Sequence, residues 1–176
     1  IKNTYEKIRD VHYKVAKVWE DDDDRDGARP EGLEVTLLRN GESYRTTTLA
    51  AEDWAYEWTD LPRAGEDATE YVYSVVEENV AGYESDGGKM TDGVFTFTNT
   101  HEPETKELKF KKVWNVDSEV LPSVAPTFIT VELSNDKNDE VQTIRLDGNG
   151  YGEWESEAVT VLVYANQGEE ITYTVK

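Results

Sequence analysis

Tyr13-Lys14-Val15-Ala16-Lys17-Val18-Trp19 carries the pattern from which the fold is read. Successive side chains of an extended chain point to opposite faces, so Tyr13, Val15, Lys17 and Trp19 line one side. Some of this stretch returns: Lys17-Val18-Trp19 recurs as Lys112-Val113-Trp114, 95 residues on. Leu33-Glu34-Val35-Thr36-Leu37 has its counterpart in Ile129-Thr130-Val131-Glu132-Leu133, at a spacing of 96. Asn3-Thr4-Tyr5-Glu6 matches Asn99-Thr100-His101-Glu102, again at 96, and Tyr73-Ser74-Val75-Val76 matches Tyr173-Thr174-Val175-Lys176 at 100. Four matches in one order at nearly one spacing describe a tandem array.

The frame follows from the matches. A unit runs from the Lys-Val-Trp strand to the Asn-Thr strand, so residues 11–102 form one complete repeat. Residues 1–10 read as the last strand of a preceding repeat plus a linker, and 106–176 as a second repeat lacking its last strand. The joint His101-Glu102-Pro103-Glu104-Thr105 is short, polar and stiffened by a proline. Period-two alternation predicts strands over Val11–Trp19, Leu33–Arg39, Glu42–Thr48, Trp54–Asp60, Tyr71–Glu78 and Val94–Thr100, with a further one near Tyr83. In the second repeat it predicts Leu108–Trp114, Phe128–Ser134, Val141–Leu146, Gly152–Ser156 and Ile171–Lys176. Turn signals such as Asn40-Gly41 and Asp147-Gly148-Asn149-Gly150 separate these runs, and only Leu49–Asp53 suggests a helical turn. The expectation is all-β, with tandem sandwiches.

Composition narrows the function. Thirty-eight acidic against 18 basic residues leave a net charge of −20, which repels nucleic acid and anionic membrane alike. No run is long and apolar enough to span a bilayer, and no signal-like segment opens the chain. Cysteine is absent, so a secreted domain of this kind would need a staple other than a disulfide.

Three polar residues suggest what that staple is. Lys17 lies in the apolar row of its strand. Asn99 shares a face with Phe95 and Phe97, and Glu77 shares one with Tyr71, Tyr73 and Val75. Burial disfavours an ammonium and favours a nucleophilic neutral amine, and a carboxyl group among aromatic side chains tends to stay protonated. Amine, carboxamide and carboxylic acid on inward faces form a coherent set: Lys17 attacks the Asn99 side-chain carbonyl, Glu77 polarises it and shuttles protons, and ammonia leaves. The product is an intramolecular isopeptide bond, which needs no oxidant and no cofactor.

The same residues carry a family resemblance. Lys17-Val18-Trp19-Glu20-Asp21, Asp26-Gly27-Ala28-Arg29-Pro30, Val35 to Gly41, Trp54 to Pro62, Tyr73 to Glu78, Gly82-Tyr83 and Phe97-Thr98-Asn99-Thr100 resemble, in order, the Cna B-type repeat of Gram-positive adhesins and pilins. The resemblance implies a β-sandwich of the reverse-transthyretin-like, Ig-like kind and a Lys–Asn isopeptide bond with a Glu catalyst, carried onto Lys17, Asn99 and Glu77. It further implies an extracellular, cell-wall location, where such repeats form a stalk that projects a ligand-binding head. The partners it implies are neighbouring repeats of the same parent protein and, through another domain, a host extracellular protein.

The second repeat departs from that pattern. Asn115–Pro126 replaces the Asp-Gly-x-Arg-Pro segment, and continuing the row Ile171, Tyr173, Val175 puts the expected Glu beyond Lys176. Lys112 therefore has neither an acid nor an Asn within its own unit. Asn3, on a strand exchanged within or between molecules, is its candidate partner, which would give a strand-swapped oligomer.

Plainer roles compete with these. A strand-end Lys17 can snorkel to water. Asp22, Asp24, Asp26 and Gly27 fit positions 1, 3, 5 and 6 of a calcium loop, but position 12 falls on Leu33 where a bidentate Glu is required. The run therefore reads as a solvated acidic turn, with Asp22, Asp24 and Asp26 as weak metal candidates. His12 and His101 sit near unit boundaries without a Ser or Cys partner in any motif, so conventional catalysis is not expected. Trp54, Tyr56 and Trp58 share strand parity, which makes a common core face simpler than a carbohydrate platform with Tyr44. The alternative to a stalk is a module that binds a host protein or glycan.

Overall fold

The computed structural model describes residues 10–116 and 126–176. The chain divides into two compact units, one running to Glu102 and the other from Pro103 to Lys176, with Arg25–Gly27 grouped with the second. Asn3 and most of Asn115–Pro126 lie outside the described residues.

In the first unit, β1 (Val11–Glu20), β4 (Ala55–Leu61), β6 (Glu84–Ser85), β7 (Lys89–Thr91) and β8 (Val94–Thr100) form one sheet, in which β1 lies between β4 and β8. The opposing sheet has the order β3-β2-β5, from Glu42–Ala50, Gly32–Arg39 and Tyr73–Glu77. β1 and β8, the first and last strands, run parallel, with Val15 opposite Phe95, Lys17 opposite Phe97 and Trp19 opposite Asn99. The predicted alternation appears in the burial: Val15, Leu37, Val35, Tyr73, Phe95 and Phe97 fill the space between the sheets. Tyr73 satisfies its buried hydroxyl by donating to the Pro62 carbonyl at 2.8 Å, as a phenol in a core must.

Where β4 departs from the expected run, backbone conformation is responsible. Trp54 has φ 48° and belongs to a turn, its N–H bonded to the Ala50 carbonyl at 2.9 Å, so the strand begins at Ala55. Tyr13 pairs with Trp58 but Val11 with Leu61, a bulge that accommodates Asp60 at φ 54°. The bulge resets parity, so Trp58 and Leu61, three apart, are both buried. Tyr56 lies opposite Val15 on the edge strand and is 42% exposed, so it is not the core residue that parity alone suggested. The short strand β7 was not predicted.

The second unit repeats the plan incompletely. β11 (Phe128–Asn135) pairs with β12 (Val141–Asp147) and with β15 (Tyr173–Val175). The single predicted strand Leu108–Trp114 is instead β9 (Thr105–Leu108) and β10 (Lys111–Val113). They pair with β14 (Val159–Leu162), which was not predicted, and with β13 (Glu153–Glu155). The break is held by Ser156, whose hydroxyl accepts from the Phe110 N–H at 3.0 Å while its own N–H bonds the Phe110 carbonyl at 2.9 Å. Leu133, Ile144, Leu146 and Val161 form its core. Tyr173 donates to the Leu162 carbonyl at 3.0 Å, repeating the Tyr73 contact. The fold is all-β, and among the described residues no helix is long and apolar enough to cross a membrane.

Candidate functional site

The three residues singled out by parity all reach the interior of the first unit. Lys17 arrives on β1, Asn99 on the adjacent β8 in register with Trp19, and Glu77 at the end of β5 in the opposing sheet. The Lys17 side chain is fully buried, and Asn99 is 1% exposed. Lys17 Nζ stands 3.2 Å from Glu77 Oε2, close enough for an ion pair, yet neither atom finds a partner in hydrogen-bond geometry. Asn99 Oδ1 is also buried without a donor. With Trp19 Nε1, four buried side-chain atoms of this unit lack a hydrogen-bond partner, an unusual concentration, since buried polar groups are almost always satisfied. Nζ also lies 4.6 Å above the Trp19 ring. Burial pushes the Lys17 ammonium below its ordinary pKa, the charge of Glu77 opposing but not cancelling that effect.

Glu77 and Asn99 share the wall of a cavity of about 240 Å³ with Tyr83, Ser85 and Phe97. Ser85 Oγ donates to Glu77 Oε1 at 2.5 Å. Sequence reasoning missed this serine, which has no motif around it and is placed only by the pairing of β6 with β8.

Beside the site lies a second cluster that was also missed. Asp21, at the end of β1, is 4% exposed and accepts from Arg29 Nε at 2.8 Å, Tyr83 Oη at 2.8 Å and the Asp24 N–H at 3.0 Å. Burial pushes its carboxyl up, but the bonds from Arg29, Asp24 and Tyr83 outweigh that and hold it at about 2. Burial and the bond to Asp21 push the Tyr83 phenol the other way, above its usual range. Trp19 packs edge-on against Tyr83 and Trp54, at 4.8 and 5.0 Å between ring centroids. The signals were present in Asp26-Gly27-Ala28-Arg29-Pro30 and Gly82-Tyr83, but Asp21 was submerged in the acidic run.

The remainder of that run folds as a tight turn, with Asp22, Asp23 and Asp24 all at positive φ. Asp24 Oδ1 accepts the Arg29 N–H at 3.0 Å. Among the described residues no group of three or more His, Asp or Glu is placed to hold a metal ion, so Asp22, Asp24 and Asp26 are not gathered. In the second unit Lys112 is half-buried, with Nζ 4.7 Å over the Trp114 ring, matching the Lys17–Trp19 contact. Lys109 and Lys111 are exposed on the other face.

The model of the Cna protein B-type domain matches residues 13–100 and 108–176. Collagen adhesin of Staphylococcus aureus is 33% identical over the whole chain, which spans 14% of that protein's length. The crystal structure of two B repeat units of the S. aureus collagen-binding protein superposes on 94% of this chain and 44% of the other, with a TM-score of 0.75 and 27% identity.

Proposed function

This chain belongs to the Cna protein B-type domain family, and we propose that it is a stalk segment of a bacterial cell-surface adhesin, held together by a self-formed isopeptide bond between Lys17 and Asn99. Residues 11–102 then form a complete repeat and 106–176 a second one, in line with neighbouring repeats along an extracellular protein. The observation that carries the reading is the convergence of Lys17, Glu77 and Asn99 in the first core, with Nζ, Oε2 and Oδ1 all lacking a hydrogen-bond partner.

The chemistry balances without a co-reactant. Glu77 Oε2 takes a proton from the Lys17 ammonium across the 3.2 Å gap, and the freed amine attacks Cγ of Asn99. The oxygen of the tetrahedral intermediate carries the negative charge, which protonated Glu77 stabilises by a hydrogen bond. Nζ then gives up a proton, one proton passes through Glu77 to the departing nitrogen, and the C–N bond of the carboxamide breaks. Ammonia leaves, and the proton first taken from Lys17 stays on Glu77 or departs with the ammonia as ammonium. The event happens once per molecule, so the protein is its own substrate. Burial of the Lys17 side chain favours the neutral amine that makes the attack.

Intact mass tests the proposal. The purified chain should be lighter by one ammonia than its sequence requires, and a Glu77→Ala variant should have the full mass. A wild-type chain of full mass removes the isopeptide from the reading. Loss of a second ammonia would assign a partner to Lys112, for which Asn3 on an exchanged strand is the candidate.

One observation favours the alternative, a module that binds a host protein or glycan: Tyr56 presents an aromatic ring on the edge strand, in edge contact with Trp58 at 5.4 Å. Unchanged binding of the chain to collagen and to a glycan panel after Tyr56→Ala would leave that reading without support.

A further inference from the structure

We propose that Ser85 is a positioning residue for the cross-link: its hydroxyl holds the Glu77 carboxyl by Oε1, keeping Oε2 directed at Lys17. The inference rests on the reading of Lys17, Glu77 and Asn99 given above.

The placement begins with strand register. β6 pairs antiparallel with β8 so that Ser85 lies directly opposite Asn99. Directly opposed residues of an antiparallel pair project from the same face. The serine is therefore brought beside the reacting carboxamide, where Glu77 arrives from the other sheet. Its Oγ donates to Glu77 Oε1 at 2.5 Å and accepts from the Gly87 N–H at 3.3 Å. With its acceptor side engaged by the backbone, the hydroxyl is left to donate to the carboxylate. The two carboxyl oxygens then have separate tasks: Oε1 is tethered, and Oε2 faces Nζ at 3.2 Å.

The tether matters because Glu77 has somewhere else to go. It lines the cavity of about 240 Å³ together with Ser85 and Asn99, which is room for its carboxylate to rotate away from the amine. A glutamate has three rotatable side-chain bonds whose freedom must be given up to hold the carboxylate in place, and a hydrogen bond to a charged group offsets that cost. Ser85 itself is open to water, so its effect on the rate is about tenfold and not several orders of magnitude.

A structural serine and a positioning serine differ in what the conservative variant does. A threonine there keeps a hydroxyl able to reach Glu77 Oε1, the contact that the serine makes at 2.5 Å, whereas an alanine leaves the carboxylate untethered.

The experiment uses the full chain made by cell-free synthesis, quenched in urea before it folds, and refolded at neutral pH while ammonia loss is followed by intact mass. Ser85→Ala should cross-link about tenfold more slowly, and Ser85→Thr, which keeps the hydroxyl, should restore the rate. Near-UV circular dichroism checks that each variant reaches the native fold. An Ala variant with the wild-type rate overturns the proposal. A slow Ala variant that Thr does not rescue overturns it as well, because the serine then acts only on the fold. A wild-type chain that never loses ammonia brings down the cross-link reading itself, before any serine variant is compared.

Discussion

Replacing Asn99 with Ala should lower the melting temperature of the first unit by about 20–35 °C. The magnitude comes from chain topology. A bond from Lys17 to Asn99 closes a loop of about 80 residues, nearly the whole unit. The entropy withdrawn from the unfolded chain by closing such a loop is worth about 4.5 kcal/mol at room temperature, on the relation established for disulfides. A unit of this size shifts its midpoint by about 4–8 °C per kcal/mol. Removing the Asn99 side chain forfeits no hydrogen bond at Oδ1, which has no partner, while the cavity left at this buried position can only add to the fall. Calorimetry supplies the assay and an internal reference: the second unit has its own core, from Leu133 to Val161, so its transition should stay in place while the first moves. Glu77→Gln should fall at least as far, since it also leaves Lys17 without a counter-charge in the core. A fall of less than about 5 °C, in a protein whose wild type is short of one ammonia, would refute the loop-entropy reasoning.

Asp21→Asn should cost the first unit about 2 kcal/mol at neutral pH. The folded-state pKa of about 2 lies below the ordinary 3.8, so this stabilisation is complete above the unfolded value and disappears as pH falls through the folded one. Urea midpoints of wild type and variant should accordingly converge towards pH 2, and a gap that persists there would assign the effect to packing alone. In the second unit, a Cβ at Gly148 would stand 2.0 Å from the Trp154 ring, and Trp154 is buried. Gly148→Ala should therefore destabilise that unit by about 2–3 kcal/mol and shift its tryptophan fluorescence; an unaltered second transition would mean that the ring has room to move.

What the sequence revealed and what it concealed divide along physical lines. Period-two alternation is local and is imposed by the pleat, so the inward row Val15, Lys17, Trp19 and the rows ending at Glu77 and Asn99 were legible without any tertiary knowledge. β4 was misread because its irregularity is conformational: Asp60 and Trp54 sit at positive φ, and neither is the glycine that usually announces it. The split of β9 from β10 was hidden because alternation continues across it, with Phe110 and Lys112 still on the half-buried side; the two halves differ in their partners, not in their pattern. Asp21 was concealed by its neighbours, since a buried acid beside exposed ones has the same letter. Ser85 was beyond reach, because its meaning arises only when β6 is laid against β8.

The parallel pairing of β1 with β8 would give the proposed cross-link a mechanical sense. Parallel neighbours put the start of β1 and the end of β8 at opposite ends of the sheet, so the chain enters the unit at Val11 and leaves at Thr100 about 30 Å away along the strands. Tension along a tandem array would pull β1 and β8 past each other, loading the seven register pairs from Lys14–Val94 to Glu20–Thr100 together. An antiparallel pair would place both chain ends on one side and let the hydrogen bonds break in succession. The Lys17–Asn99 position sits close to the exit end of this seam. With a covalent bond there, force would pass from Val11 to Lys17 and across to Asn99 and Thr100. The sheet β3-β2-β5, the acidic turn and every loop between would lie off the load path. An isopeptide at this position converts resistance spread over many weak bonds into resistance by one strong one, and it does so with the two strands that carry the chain into and out of the unit.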